Sequence, residues 1–193
     1  MKKKLQFLFL ILFVAIFAAA CGTESESDNS GSDKEAEAET ITVTHELGET
    51  EVKKNPEKVV VFDYGVLDSL DKLGVEVTGL PKQSLPGYLE KYNDEKYENL
   101  GGLKEPDFEK INEVGPDLII ISGRQQDSYE ELSEIAPTIY MAIDTTRYME
   151  SYEENAMLLG EIFGKEAEVE AELAKVKEDI QALNEKAKAS GKN

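Results

Sequence analysis

The sequence predicts an α/β lobe: a central, mostly parallel sheet flanked by helices, followed by one long helix. Three observations carry this. The runs Val59-Val60-Val61-Phe62 and Leu118-Ile119-Ile120-Ile121 are continuously apolar, as strands covered on both faces are. Between and after them, apolar residues recur every three or four positions, the period of a helix with one buried face. Gly, Pro, Asp and Asn punctuate the joints, so strand and helix alternate in the βαβ order that produces parallel pairing.

The N-terminal end reads differently. Met1 to Lys4 is cationic, residues 5–20 are almost wholly apolar, and Ala18-Ala19-Ala20 precede Cys21. This is the pattern of a secretory signal over residues 1–20. A transmembrane span would need roughly 20 apolar residues, and this run is shorter and ends in small residues. Cys21 is the chain's single cysteine, so no internal disulfide can form. A lone cysteine behind small residues resembles a bacterial lipobox, in which the thiol is lipidated after cleavage; Ala18 departs from the leucine more usual there. From residue 21 to residue 40 no large apolar side chain occurs, so the segment cannot offset its chain entropy and is expected to be a disordered tether. The whole chain holds 40 acidic and 21 basic side chains, a net charge of -19. That balance excludes nucleic acid as a partner, since no basic patch exists to replace phosphate counterions.

The lobe itself is expected over residues 41–150. Residues 41–45 alternate like a strand, Gly48-Glu49-Thr50 has turn chemistry, and residues 51–53 pair back as a hairpin. His45 is expected to face solvent, and a single histidine leaves no histidine-rich metal site. Residues 59–62 form the first buried strand, with Asp63-Tyr64-Gly65 at its carboxyl end. Val66, Leu67, Leu70 and Leu73 mark a helix that stops at Gly74, and residues 75–80 a second strand that Pro81 ends. Tyr88, Tyr92 and Tyr97 come next in a loop, where they either pack it against the body or face a ligand. Pro106-Asp107 opens a short helix carrying Phe108, Ile111 and Val114, and Gly115-Pro116 closes it. Ser122, Gly123 and Arg124 then lie past the carboxyl end of a buried strand, where open α/β sheets hold their ligands. Residues 125–136 read as a further helix and 138–143 as a strand, with a hydroxyl or acid of residues 144–148 available to cap the next helix.

Residues 151–193 form a helical segment. Past Gly164, Val169, Leu173, Val176, Ile180 and Leu183 repeat at steps of four and three, one apolar stripe on a long helix. Such a stripe either pairs in a coiled coil or lies along a neighbouring domain.

Catalytic constellations are missing from the sequence. No Gly-rich phosphate loop comes after a strand and no nucleophile has a base beside it, so the chain is not expected to be an enzyme. Lys104, Arg124 and Arg147 are instead cations in predicted loops at strand ends of an acidic protein, suited to an anionic ligand. The alternative for each is a solvated surface charge or a local salt bridge.

Pro116-Asp117-Leu118-Ile119-Ile120, Ser122-Gly123-Arg124-Gln125, Ile135-Ala136-Pro137-Thr138 and the long closing helix together carry a resemblance. The chain resembles the substrate-binding lipoproteins of iron-siderophore ABC importers of Gram-positive bacteria, which have two Rossmann-like lobes joined by a backbone helix. The Ser-Gly-Arg-Gln segment is similar to that of catecholate binders of the petrobactin and enterobactin type. The resemblance implies a ferric siderophore held between two lobes, with Arg124 and Lys104 as ligand cations and Tyr88 and Tyr148 as further ligand contacts. Iron would be ligated by the siderophore, so no metal ligand and no cofactor is implied beyond the lipid on Cys21. Glu109, or alternatively Glu105, would dock the membrane permease, which works with its ATPase. Localisation would be the outer face of the cell membrane, by lipid anchor. Family members continue into a second lobe after the long helix, whereas this sequence stops at Asn193, so that lobe is expected to be absent by truncation. Other iron complexes, haem or a corrinoid are the alternative ligands, and a non-transport interaction scaffold is the alternative role.

Overall fold

The computed structural model describes residues 39–191. The expected signal peptide, most of the tether and Cys21 lie outside the described residues. The chain begins with β1 (Thr40–His45) and β2 (Gly48–Lys53), and continues through β3 (Val59–Val61), α1 (Tyr64–Lys72), β4 (Gly79–Leu80) and β5 (Glu98–Asn99). Then come α2 (Phe108–Val114), β6 (Leu118–Ile121), α3 (Tyr129–Ile135), β7 (Thr138–Tyr140), α4 (Tyr148–Phe163) and α5 (Glu166–Ala189).

β3 to β7 make one sheet in the order β5-β4-β3-β6-β7, and every pairing in it is parallel. Because the strands share a direction, the segments after each of them leave from the same edge of the sheet. The strand order reverses between β3 and β6: after β3 the chain moves outward to β4 and β5, then returns to lay β6 on the other side. A ligand crevice forms at such a switch point.

The apolar runs explain the layers. Val59, Val61, Leu118, Ile120 and Ile139 point to one face, where Val66, Leu67 and Leu70 of α1 and Leu159, Ile162 and Phe163 of α4 bury them. Val60, Phe62, Ile119 and Ile121 point to the other, under Ile111 of α2 and Leu132 of α3. Both faces of the central strands are covered, which is why the sequence shows no polar alternation there. The hairpin β1–β2 adds Val43 and Val52 to the first layer.

Several boundaries differ from the sequence expectation. The hairpin turn is Glu46-Leu47 rather than Gly48-Glu49-Thr50, because His45 pairs directly with Gly48. His45 is half-buried rather than fully solvent-facing: its Nδ1 accepts the Leu47 N–H at 3.3 Å, its Nε2 lies 3.1 Å from Thr50 Oγ1, and its ring meets Tyr129 edge-on at 5.4 Å. The strand expected over 75–80 shrinks to Gly79–Leu80, since the Val75 N–H bonds back to the Leu70 carbonyl and wraps the end of α1. β5 has no counterpart in the sequence expectation; two exposed polar residues carry no apolar signal. The helix expected over 125–136 divides into a 3-10 turn, Gly123–Ser128, and α3. Gln125 causes this, its Oε1 accepting the Ser122 N–H at 3.1 Å and tightening the first turn. No side chain caps α4 either: Asp144 accepts instead from the Thr146 N–H at 2.8 Å and the Thr146 hydroxyl at 2.7 Å.

The apolar seat of α5 is at its start, and one ion pair, Lys177 to Glu153 of α4 at 2.7 Å, follows it. Val169 and Leu173 pack with Ala156, Leu73 and Tyr152, and Gly160 lets the two helices approach closely, since a Cβ there would stand 3.2 Å from Glu166 Cα. Further along the same stripe Ile180 is 38% and Leu183 63% exposed.

Candidate functional site

The switch point is occupied by a cleft of about 480 Å³. Asp63 and Gly65 after β3, Ser122, Gly123 and Arg124 after β6, Met141 to Ile143 after β7, and Tyr148, Tyr152 and Asn155 on α4 line it.

Its floor is a side-chain clasp between the two diverging strands. Asp63 has extended dihedrals and caps α1, its Oδ1 accepting from the N–H groups of Gly65 at 2.9 Å and Val66 at 3.0 Å. Its other oxygen accepts the Ser122 hydroxyl at 2.7 Å. One carboxylate therefore fixes both the start of α1 and the turn that carries Arg124. On the same turn, Gln125 is buried and its Nε2 donates to the Leu103 carbonyl. That bond draws the loop after β5, with Lys104 next in sequence, toward the Arg124 turn. Tyr64 ties in the loop after β4, its hydroxyl proton shared between the carbonyls of Gln83 at 2.7 Å and Pro81 at 3.0 Å. Burial pushes the Tyr64 phenol above its ordinary pKa, and the nearby Arg124 charge partly opposes the push.

Arg124 and Lys104 are exposed, and among the described residues neither makes an ion pair or a hydrogen bond. Arg147 behaves otherwise. Asp144 at 3.2 Å, Glu154 at 3.2 Å and Glu150 at 3.6 Å surround it, so of the three cations considered from sequence it is the locally neutralised one.

The tyrosines divide as well. Tyr92 and Tyr97 are buried and meet at 4.8 Å, packing their loop against the body, while Tyr88 is 67% exposed and outside the cleft lining. Tyr148, 59% exposed, stands in the cleft with Arg124. Glu105 and Glu109 are both exposed, the latter in the first turn of α2. Thus the structure brings Arg124 and Tyr148 into one cavity, while Lys104 and Tyr88 lie outside its lining. Sequence reasoning passes over Tyr152 and Asn155. Their spacing from Tyr148 by four and seven residues puts all three on one helix face, a signal that is present but indistinguishable from ordinary helix. Asn155 braces the cleft wall, its Nδ2 donating to the Ala142 carbonyl at 3.2 Å. Among the described residues no group of three or more His, Cys, Asp or Glu could hold a metal ion.

Known proteins resemble this chain in sequence and fold. The petrobactin-binding protein YclQ of Bacillus subtilis is 54% identical over 153 residues, covering 77% of this chain and 48% of the relative. Its crystal structure matches with a TM-score of 0.79 at 55% identity, over 80% of this chain and 56% of that one. The ferric-anguibactin-binding protein FatB of Vibrio anguillarum is 33% identical over 147 residues, covering 72% of this chain and 46% of the relative. The periplasmic catecholate-siderophore binding protein VctP of Vibrio cholerae matches with a TM-score of 0.73 at 39% identity, over 79% of this chain and 56% of its own. The chain thus spans about half the length of the curated relatives it matches. Residues 59–193 match the family described as periplasmic binding protein, and with the parallel sheet, the switch-point cleft and the long final helix in place, the chain belongs to that family.

Proposed function

We propose that this chain is the cleft-bearing lobe of an extracytoplasmic solute-binding lipoprotein, which binds a ferric catecholate siderophore and delivers it to an ABC permease. The observation that carries the reading is Arg124: a cation with no ion-pair partner among the described residues, held at the switch point of a parallel sheet by the Ser122–Asp63 clasp. A ferric tris-catecholate is a compact anion, and an unpaired guanidinium on a fixed turn opposes its charge with donors in a planar fork. Lys104, on the loop that Gln125 holds through the Leu103 carbonyl, and Tyr148 on α4 would support it, with Tyr88 as an outlying contact. The names of YclQ and VctP, a petrobactin binder and a catecholate-siderophore binder, support the choice of ligand class.

The remaining features fit the same reading. Residues 1–20 would be removed, Cys21 lipidated, residues 21–40 would tether the lobe, and the lobe of 41–150 with the helical segment of 151–193 would lie outside the cell membrane. Glu109, with Glu105 as second choice, would meet the permease from the exposed side of α2, and no catalysis is assigned.

The test is titration with ferric tris(2,3-dihydroxybenzoate), monitored by tyrosine fluorescence. Arg124→Ala is expected to weaken binding by about 1.5–3 kcal/mol, the worth of a hydrogen bond to a charged group. Arg147→Ala, whose charge is already neutralised, is expected to change nothing. Unchanged binding by Arg124→Ala would overturn the site.

A further inference from the structure

Charge alone cannot tell one ferric chelate from another, because aryl and aliphatic complexes both present anionic oxygen to Arg124. Something else in the cleft must make that distinction, and α4 supplies it. Tyr148 and Tyr152 are one helical turn apart on the same face, and both line the cleft that holds Arg124. Tyr152 is the better fixed. Its half-buried ring rests on the apolar cluster of Leu73, Ala156, Val169 and Leu173, so its orientation is set before any ligand arrives. Its hydroxyl has no hydrogen-bond partner among the described residues, unlike that of Tyr64, which is fully engaged with loop carbonyls. Burial, with the Asp68 carboxylate nearby, holds this phenol above its ordinary pKa. It therefore stays a neutral O–H donor at physiological pH.

We infer that Tyr152, seconded by Tyr148, is a specificity-determining residue that selects aryl ferric complexes over aliphatic ones. A rigid aromatic face receives the ring of a catecholate in offset or edge-on geometry, and an aliphatic chelate has no ring to offer it. In this division Arg124 supplies affinity for any ferric anion and Tyr152 supplies discrimination. The inference rests on the ferric-siderophore reading given above.

The experiment compares ferric tris(2,3-dihydroxybenzoate) with ferric citrate by equilibrium dialysis against the full chain and its Tyr152→Leu, Tyr152→Phe and Tyr148→Leu variants. Tyr152→Leu is expected to weaken binding of the catecholate complex about fivefold, the order of one aromatic contact, and to leave ferric citrate within about twofold. Tyr152→Phe, which keeps the ring, is expected to restore the catecholate preference. Equal losses for both complexes, or no loss, would overturn the inference while leaving the parent reading intact. A wild-type chain that binds neither complex would overturn both. Should Tyr152→Leu fail to fold, exposed Tyr148→Leu decides the matter: a selective loss of about twofold supports the platform, and a non-selective or absent one refutes it.

Discussion

Replacing Asp63 by alanine removes three hydrogen bonds, and their sum is open to measurement. The carboxylate accepts from the N–H groups of Gly65 and Val66 at 2.9 and 3.0 Å, and from the Ser122 hydroxyl at 2.7 Å. Losing an Asp N-cap costs about 1 kcal/mol. Losing a bond to an ionised acceptor costs about 1.5–3 kcal/mol, and the lower part of that range applies because Asp63 is only half-buried. Together these give about 2–3 kcal/mol, or about 4–12 °C in Tm for a chain of this size. Urea unfolding monitored by far-UV circular dichroism measures it directly. Ser122→Ala alone should cost about 1.5 kcal/mol, and the double variant should cost less than the two singles together by about as much, since each single already breaks the shared bond. Strict additivity, or a loss below about 0.5 kcal/mol for Asp63→Ala, would refute the idea that this clasp holds the cleft floor.

Two other perturbations test the same frame. Gly79→Ala would set a Cβ 2.7 Å from Leu100 Cδ1 and 3.2 Å from Glu98 Cβ, and Leu100 is wholly buried; the expected cost is about 1–3 kcal/mol in urea unfolding, as for overpacking. His45 gives a pH dependence, because burial holds its folded-state pKa below the ordinary 6.5. The neutral ring's contribution is thus present above pH 6.5 and is lost as pH falls below it through the lowered folded value. Thermal melts should show stability declining over that window in the wild-type chain and a flatter profile in His45→Gln.

How much of the fold and site is legible in the residues depends on distance along the chain. The runs at 59–62 and 118–121 announce buried strands because covered strands leave no polar alternation, and Asp63 and Asp107 announce helix starts because capping is local. Arg124 stands out by its place after such a run. The clasp that gives Arg124 its setting joins residues 59 apart, and the Gln125–Leu103 bond joins residues 22 apart; no periodicity encodes either. His45 departs from its sequence expectation for a related reason. Alternation in a strand marks one face as outward, but it does not reveal that Tyr129, from a helix 84 positions later, covers that face. Tyr152 illustrates a third limit, since a tyrosine at helical spacing looks the same whether it fills a core or borders a cleft.

α5 has a mechanical consequence. It is a helix of 24 residues anchored at Val169 and Leu173, near one end. At 1.5 Å per residue the part beyond Leu173 is about 24 Å long, so a tilt of about 5° at the seat carries its far end about 2 Å. The helix is therefore a lever with its fulcrum beside Tyr152 and Ala156, two residues that also border the cleft.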